Sequence, residues 1–249
     1  MRQETSLMNY RVIIPARLGS TRLPGKPLKD IEGKTLLQRV IEQTKKSNAK
    51  SIHVATDSNE IIDHCNQLDI EALLTNASHK TGSDRLAESC NALQLEDDEL
   101  IINVQGDEPF IDPVDIDNLA NLALSKNANM VTLYADLDEK DSEDKNVVKL
   151  WLKSDSIVTD FSRDIESLRA QDAKKHLGIY GYKVNFLKSF VEWEQTTNET
   201  RRNLEQMRAM DNGEKIFAIR AQGKHHLGVD TEEDLKRARE IAKNLNEHN

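Results

Sequence analysis

The sequence predicts an α/β fold: a mainly parallel sheet with helices on both faces. Two observations carry this. Short apolar runs alternate with amphipathic stretches through the first half of the chain, the pattern of successive βαβ units. The first run, Tyr10-Arg-Val-Ile-Ile14, feeds directly into a loop of glycine, serine and proline that also carries cations. Open parallel sheets bind ligands beyond the carboxyl ends of their strands, where such a loop would lie.

In chain order, Tyr10–Ile14 reads as a buried strand. A helix follows from about Thr35 to Lys46, with Leu36, Leu37, Val40 and Ile41 on one face. Ser51–Thr56 reads as a strand, Glu60–Leu68 as a helix and Glu71–Leu74 as a short strand. Ser83–Leu93 reads as a helix, Leu100–Val104 as a strand, Asp115–Ser125 as a helix and Met130–Tyr134 as a strand. The second half is less regular. Strands are predicted at Val147–Leu152, Ile157–Phe161, Leu177–Tyr182 and Lys215–Arg220. Helices are predicted at Val184–Trp193, Leu204–Met210 and Glu232–Leu245, and the charged run Asp136–Lys145 reads as a solvated loop. With no repeat and no linker composition, the 249 residues read as a single α/β domain.

The loop Pro15-Ala-Arg17-Leu-Gly-Ser20-Thr-Arg22-Leu-Pro-Gly25-Lys26-Pro27-Leu28 is the richest in chemistry. Its backbone N–H groups can wrap phosphates while Arg17, Arg22 and Lys26 neutralise them. It is not a Walker loop, because Pro27 follows Gly25-Lys26 where Ser or Thr would stand. Proline offers no N–H for a phosphate.

Composition makes this cluster a local exception. The formal net charge is −9, and a diffusely acidic surface argues against nucleic acid or anionic membrane as a partner. Small anionic ligands fit better. Cys65 and Cys90 have no metal-like spacing and read as structural thiols in a reducing, cytoplasmic setting. Residues 1–9 lack the apolar core of a signal peptide, and no apolar run reaches membrane-spanning length.

Asp107 follows a buried strand in Val104-Gln-Gly-Asp-Glu-Pro109, where Gly106 permits a sharp exit and Pro109 ends the pairing. It reads either as a hard ligand for magnesium or as a turn residue bonding its own backbone. Asp230, in Gly228-Val-Asp-Thr231, is open in the same way: a metal carboxylate, or with Thr231 a helix N-cap. In Thr81-Gly-Ser-Asp-Arg85, Ser83 reads as the N-cap, leaving Arg85 in a first turn that disfavours cations unless an anion is near. That mismatch points Arg85 toward a nucleotide. His176 reads as a core histidine, the His225-His226 pair as surface, and Trp151, Trp193 and Phe161 as core.

The ordered set of segments resembles the CMP-Kdo synthetases, the 3-deoxy-manno-octulosonate cytidylyltransferases. It comprises Pro15–Leu28, Val54-Ala-Thr-Asp57, Thr81–Arg85 and Asn103–Pro109. It continues with Phe161-Ser-Arg163, His176-Leu-Gly-Ile-Tyr-Gly-Tyr182, Leu204-Glu-Gln-Met-Arg208 and Gly228–Thr231. The resemblance implies a Rossmann-like nucleotidyltransferase fold. It implies a nucleotide-binding part at about 10–135, a smaller sugar-binding and dimerisation part at about 136–225, and a metal aspartate with a final helix at 226–249. The implied reaction moves CMP from CTP to the anomeric hydroxyl of Kdo, an acidic eight-carbon sugar, for lipopolysaccharide synthesis by a cytoplasmic homodimer. The implied roles place the triphosphate on Arg17, Arg22 and Lys26, the nucleotide on Arg85 and Asp107, and Mg2+ on Asp107 and Asp230. Arg17, Lys26, Asp107 and Asp230 would be the catalytic set. Gln105, Arg169, His176, Tyr180, Glu205 and Gln206 would line the sugar site.

One stretch departs from the family pattern. After Phe161-Ser-Arg163 the family continues Ile-Pro, an aromatic residue and an arginine, whereas this chain runs Asp164-Ile-Glu-Ser-Leu-Arg169. Arg169 is the nearest candidate for that arginine. Arg201 and Arg202 also depart from the pattern. A modified ulosonate such as the 8-amino analogue is therefore an alternative substrate. A non-catalytic nucleotide-binding module is a second alternative.

Overall fold

Strand and helix alternate from the first described residues, as the apolar pattern requires. The structure is a computed structural model and describes residues 8–79, 81–164 and 171–247. The elements of the first half are β1 (Met8–Ala16), β2 (Asp30–Ile31), β3 (Lys34–Thr35), α1 (Leu36–Thr44), β4 (Ala49–Thr56), α2 (Asn59–Gln67), β5 (Glu71–Leu74), α3 (Gly82–Ala92), β6 (Leu100–Asn103) and α4 (Pro113–Lys126). There follow β7 (Met130–Asp136), α5 (Glu139–Glu143), β8 (Lys149–Lys153), β9 (Ile157–Ser162), β10 (Lys174–Lys183), α6 (Val184–Glu192), α7 (Thr197–Arg202), α8 (Gln206–Asp211), β11 (Ile216–Arg220) and α9 (Glu232–Glu247). Among the described residues no helix is long and apolar enough to cross a membrane.

The contacts divide the chain into two units. The first takes Met1–Leu95, Asn103–Asp117 and Gly223–Asn249. Its strands run β5-β4-β1, all parallel, with Val12 against Ile52 and Ile14 against Val54. Val12, Ile13 and Ile14 are fully buried in succession, the mark of a parallel strand covered on both faces. A second core lies beside the cationic loop. Leu23 and Leu36 pack there with Phe110, Leu227, Val229 and the α9 face formed by Leu235, Ala238 and Ala242. The i, i+3, i+7 spacing of those α9 residues puts them on one side of the helix. Leu23 thereby ties a polar loop to a hydrophobic cluster.

The second unit takes Glu96–Ile102 and Asn118–Gln222, and its strand order is β6-β10-β7-β11-β9-β8. Pairing here is mixed: β7 is antiparallel to β10 but parallel to β11, and β8 and β9 form an antiparallel pair. A short connection, the 3-10 turn Ser154–Ser156, joins β8 to β9, and short links permit only antiparallel neighbours. The parallel expectation therefore describes the first unit, where helices make the crossovers. Stacked rings run through the second core, from Tyr180 to Tyr182 and Phe186 to Phe190, with Trp193 set edge-on against the last two.

Two short helices were not anticipated. The run predicted as a solvated loop contains α5, whose Asp138 side chain accepts from Asp141 N, and α7 is opened by a Thr196–Glu199 capping box. In both cases the cap outweighs a weak apolar pattern. Conversely, β10 starts at Lys174, earlier than the apolar run beginning at Leu177, because Lys174 and Lys175 pair with both β7 and β8.

Candidate active site

The cationic loop leaves β1 after Ala16 and is folded by its own backbone. Gly25 N and Ser20 N both donate to Leu18 O, and Leu23 N donates to Ser20 Oγ. Gly25 adopts φ 66°, ψ 23°, a left-handed conformation that a side chain disfavours, and so turns the chain into the 3-10 segment Lys26–Leu28. Lys26 is thereby aimed inward. Its Nζ donates to Asp107 Oδ2 at 2.6 Å and to Asp230 Oδ1 at 2.9 Å. Arg22 Nη2 reaches Asp230 Oδ2 at 3.0 Å. Two acids far apart in sequence thus meet two cations of the loop, Lys26 and Arg22, at one place.

Local structure explains why both acids arrive there. At the end of β6, Gly106 brings the turn against the end of β1: a Cβ on Gly106 would stand 2.6 Å from Pro15 O. Val229 N donates to Asp107 O at 2.9 Å, which clamps the two acid-bearing segments together. Thr231 caps α9, its Oγ1 accepting from Asp234 N, while Asp234 Oδ2 accepts from Asp230 N and Thr231 N. The cap is therefore Thr231, which leaves the Asp230 carboxylate to the cations. Gly106→Ala is expected to cost about 1–3 kcal/mol through this backbone clash. It should also reduce turnover by displacing Asp107, as thermal melts and pyrophosphate release would together show.

Charge is balanced within this cluster. Burial works to lower the Lys26 pKa, but the Asp107 and Asp230 carboxylates outweigh it and hold the ammonium above its usual range. Burial likewise works to raise Asp230, and Lys26 with Arg22 reverses the effect, holding the carboxyl below its usual range. Arg22, Lys26 and Asp107 of this cluster line a cavity of about 330 Å³, whose walls also include Arg17, Ser20 and Gln105. Arg17 is exposed at its mouth.

Arg85 also lines this cavity, but its guanidinium is buried and committed. It donates to Thr75 Oγ1 and, at 2.9 Å, to Asp57 Oδ2. The anion that an arginine in this first helical stretch demands is thus supplied by Asp57. The cap of α3 is Thr81 rather than Ser83, in a capping box with Asp84. Thr81 wins because Asp84, three residues on, returns the bond to its backbone N–H. Asp57 and Thr75 were the partners that sequence reasoning missed; Asp57, directly after a strand, was the visible signal.

The other candidates belong to the second unit, except Gln105, which lies in the cavity wall just described, and Arg169, which lies outside the described residues. His176 Nε2 is 3.0 Å from Thr132 Oγ1, and its ring stands 5.1 Å from that of Phe161 and 5.3 Å from that of Tyr180. Enclosure pushes its pKa down to about 3. The folded protein therefore keeps His176 neutral, while the unfolded chain gains a proton below about pH 6.5. Its contribution to stability is present above pH 6.5 and is lost as the pH falls from there toward 3. His176→Asn is expected to flatten that part of a melting-temperature profile against pH. Burial and the nearby Glu205 charge raise the Tyr180 phenol well above its usual value. Glu205 and Gln206 open α8, which is anchored by a buried two-point pair from Arg208 to Glu199 at 2.6 and 2.8 Å.

This unit also holds a cavity of about 490 Å³, walled by Trp151, Asp160, Ser162, Arg163, Arg201 and Arg202 among others. Arg202 is tied to Asp160 and to Phe161 O, so the departure noted in sequence forms a local ion pair. The acids of this cavity are held by separate cations, Asp160 by Arg202 and Asp164 by Lys145, rather than sharing one as Asp107 and Asp230 share Lys26.

Asp107 and Asp230 could hold a divalent cation. Their oxygens converge on one small cationic group, and magnesium commonly takes one or two protein carboxylates, completing its shell from water and phosphate. Among the described residues no group of three or more His, Cys, Asp and Glu converges.

A parallel sheet whose first loop gathers cations and paired acids around a cavity defines a nucleotidyltransferase. The model of the cytidylyltransferase family matches residues 11–216. The chain is 38% identical to the 3-deoxy-manno-octulosonate cytidylyltransferase of Haemophilus influenzae strain Rd, over 94% of this chain and 98% of that one. It is 40% identical to the same-named protein of Histophilus somni strain 2336, again over 94% and 98%. A solved CMP:2-keto-3-deoxy-manno-octonic acid synthetase complexed with CTP superposes with a TM-score of 0.88 at 30% identity, covering 95% of this chain and 99% of that one. A putative glucose-1-phosphate thymidylyltransferase from Bacillus anthracis shares the fold, with a TM-score of 0.70 at 14% identity over 94% and 95%. The chain belongs to the cytidylyltransferase family and, within it, to the 3-deoxy-manno-octulosonate cytidylyltransferases.

Proposed function

We propose that this protein transfers CMP from CTP to the anomeric hydroxyl of 3-deoxy-manno-octulosonate, giving CMP-Kdo and pyrophosphate for lipopolysaccharide assembly. The observation that carries the reading is the meeting of Asp107 and Asp230 at Lys26, beside a cation-walled cavity, in a chain of this family. The solved relative complexed with CTP supports the choice of nucleotide.

In this reading Arg17, Arg22 and Lys26 hold and neutralise the triphosphate. The anomeric oxygen attacks the α-phosphorus as the bond to the bridging oxygen breaks. The electron pair of that bond leaves on pyrophosphate, and the hydroxyl proton passes to solvent. Alignment and charge neutralisation supply most of the acceleration, so no protein nucleophile is needed. Asp107 and Asp230 would hold Mg2+, which shields phosphate charge and lowers the pKa of a bound hydroxyl. His176, Tyr180, Glu205 and Gln206 bind the sugar, and the functional form is a cytoplasmic homodimer. The buried thiols Cys65 and Cys90 fit a reducing compartment.

Pyrophosphate release across a panel of nucleoside triphosphates, ulosonates and hexose phosphates tests the assignment. CTP with 3-deoxy-manno-octulosonate should give the highest kcat/KM. Preference for another triphosphate with a hexose 1-phosphate would overturn it.

A further inference from the structure

Lys26 has two competing engagements. Its Nζ contacts Asp107 Oδ2 at 2.6 Å and Asp230 Oδ1 at 2.9 Å, yet it hangs from the loop whose other cations line the cavity. A magnesium ion on those same oxygens would sit about 2.1 Å from each. The ammonium and the ion would then stand within about 4 Å, and like charges at that range repel strongly in a half-buried site. The two cations compete for these oxygens. Arg22 is not equivalent: of the two acids it reaches Asp230, and its side chain is 61% exposed.

We infer that Lys26 is an exchangeable counter-cation, which holds Asp107 and Asp230 together until a divalent ion arrives and then turns to the phosphates of the nucleotide. This deepens the metal reading of the two aspartates and rests on it. A divalent ion alone binds weakly, since it must expel the ammonium. A triphosphate gives the ammonium another acceptor, so nucleotide and metal tighten each other's binding by the same factor. Lys26 is in this sense the coupling between them.

The test is Mn2+ binding to the full chain, followed by the paramagnetic signal of the free ion, with and without CTP. Without nucleotide, Lys26→Met and Lys26→Gln should each bind Mn2+ at least tenfold more tightly than the unsubstituted protein, and Mn2+ alone should raise their melting temperatures more. Arg22→Met, which removes the same charge, should change Mn2+ affinity less than threefold. The gain in Mn2+ affinity on adding CTP should be larger in the unsubstituted protein than in either Lys26 variant. Equal or weaker Mn2+ binding by folded Lys26 variants, with Asp107→Asn still abolishing it, would overturn the exchange alone. Unchanged Mn2+ binding by Asp107→Asn and Asp230→Asn would remove the metal reading, and the inference with it.

Discussion

Asp107→Asn and Asp230→Asn are each expected to lower kcat by roughly a hundred- to a thousandfold, the scale for losing one charge-stabilising group at a phosphoryl centre. The fold should survive. Each substitution leaves Lys26 one carboxylate partner, since its Nζ contacts both acids. Asp107 is also held by its backbone, through Val229 N, and Asp230 by Asp234, neither of which the amide disturbs. Far-UV circular dichroism and a melting temperature within a few degrees of the unsubstituted protein should accompany the lost turnover. Near-normal turnover in either variant would remove that acid from the machinery. The pH dependence has a defined sign. Asp230 has a depressed carboxyl pKa when folded, so its contribution to stability is present above the ordinary carboxylate range and is lost as the pH falls through its folded value.

Arg208→Met should give the largest loss of stability, about 3–5 kcal/mol, because it strands the Glu199 carboxylate in the interior of the second unit. Arg208 and Glu199 side chains are only 6% and 5% exposed, and the guanidinium also caps Phe190 O and lies 4.8 Å over the Phe190 ring. Burial works to raise the Glu199 carboxyl, and Arg208 reverses the effect, keeping it charged. Glu199→Gln should be damaging for the complementary reason, leaving Arg208 with Glu205, at 3.8 Å, as its nearest carboxylate. The paired substitution E199M/R208M removes both charges and should recover much of the loss, which urea denaturation would measure. Because this pair anchors the helix bearing Gln206, with Glu205 at its cap, the single variants should also raise the KM for the sugar more than that for CTP.

How much of this was legible depended on how far each feature reaches along the chain. The loop was visible because its chemistry is local: Gly25 supplies the positive φ, and Arg17, Arg22 and Lys26 lie within a few residues of one another. The parallel strands of the first unit were visible because Val12, Ile13 and Ile14 are apolar in unbroken succession. The meeting of Asp107 with Asp230 was not. It depends on the Val229–Asp107 backbone bond and on α9 packing against Leu23, neither of which leaves a periodic signal. Arg85 shows the limit of local electrostatics. Its placement near a helix start did call for an anion, but Asp57, distant in sequence and just past the end of β4, meets that demand. The Thr196–Glu199 box was present as a sequence pattern, yet α7 lacks the apolar stripe by which the longer helices were found. Arg169 falls in the stretch where the chain departs from its family, outside the described residues.

Diffraction from crystals grown with Mn2+ and CTP, recorded at the manganese absorption edge, addresses the central claim most directly. The anomalous peak should lie between the Asp107 and Asp230 carboxylates, with the triphosphate against Arg17 and Arg22 and the Lys26 ammonium on a phosphate oxygen. A peak elsewhere, with Lys26 still bridging the two acids beside bound CTP, would contradict it.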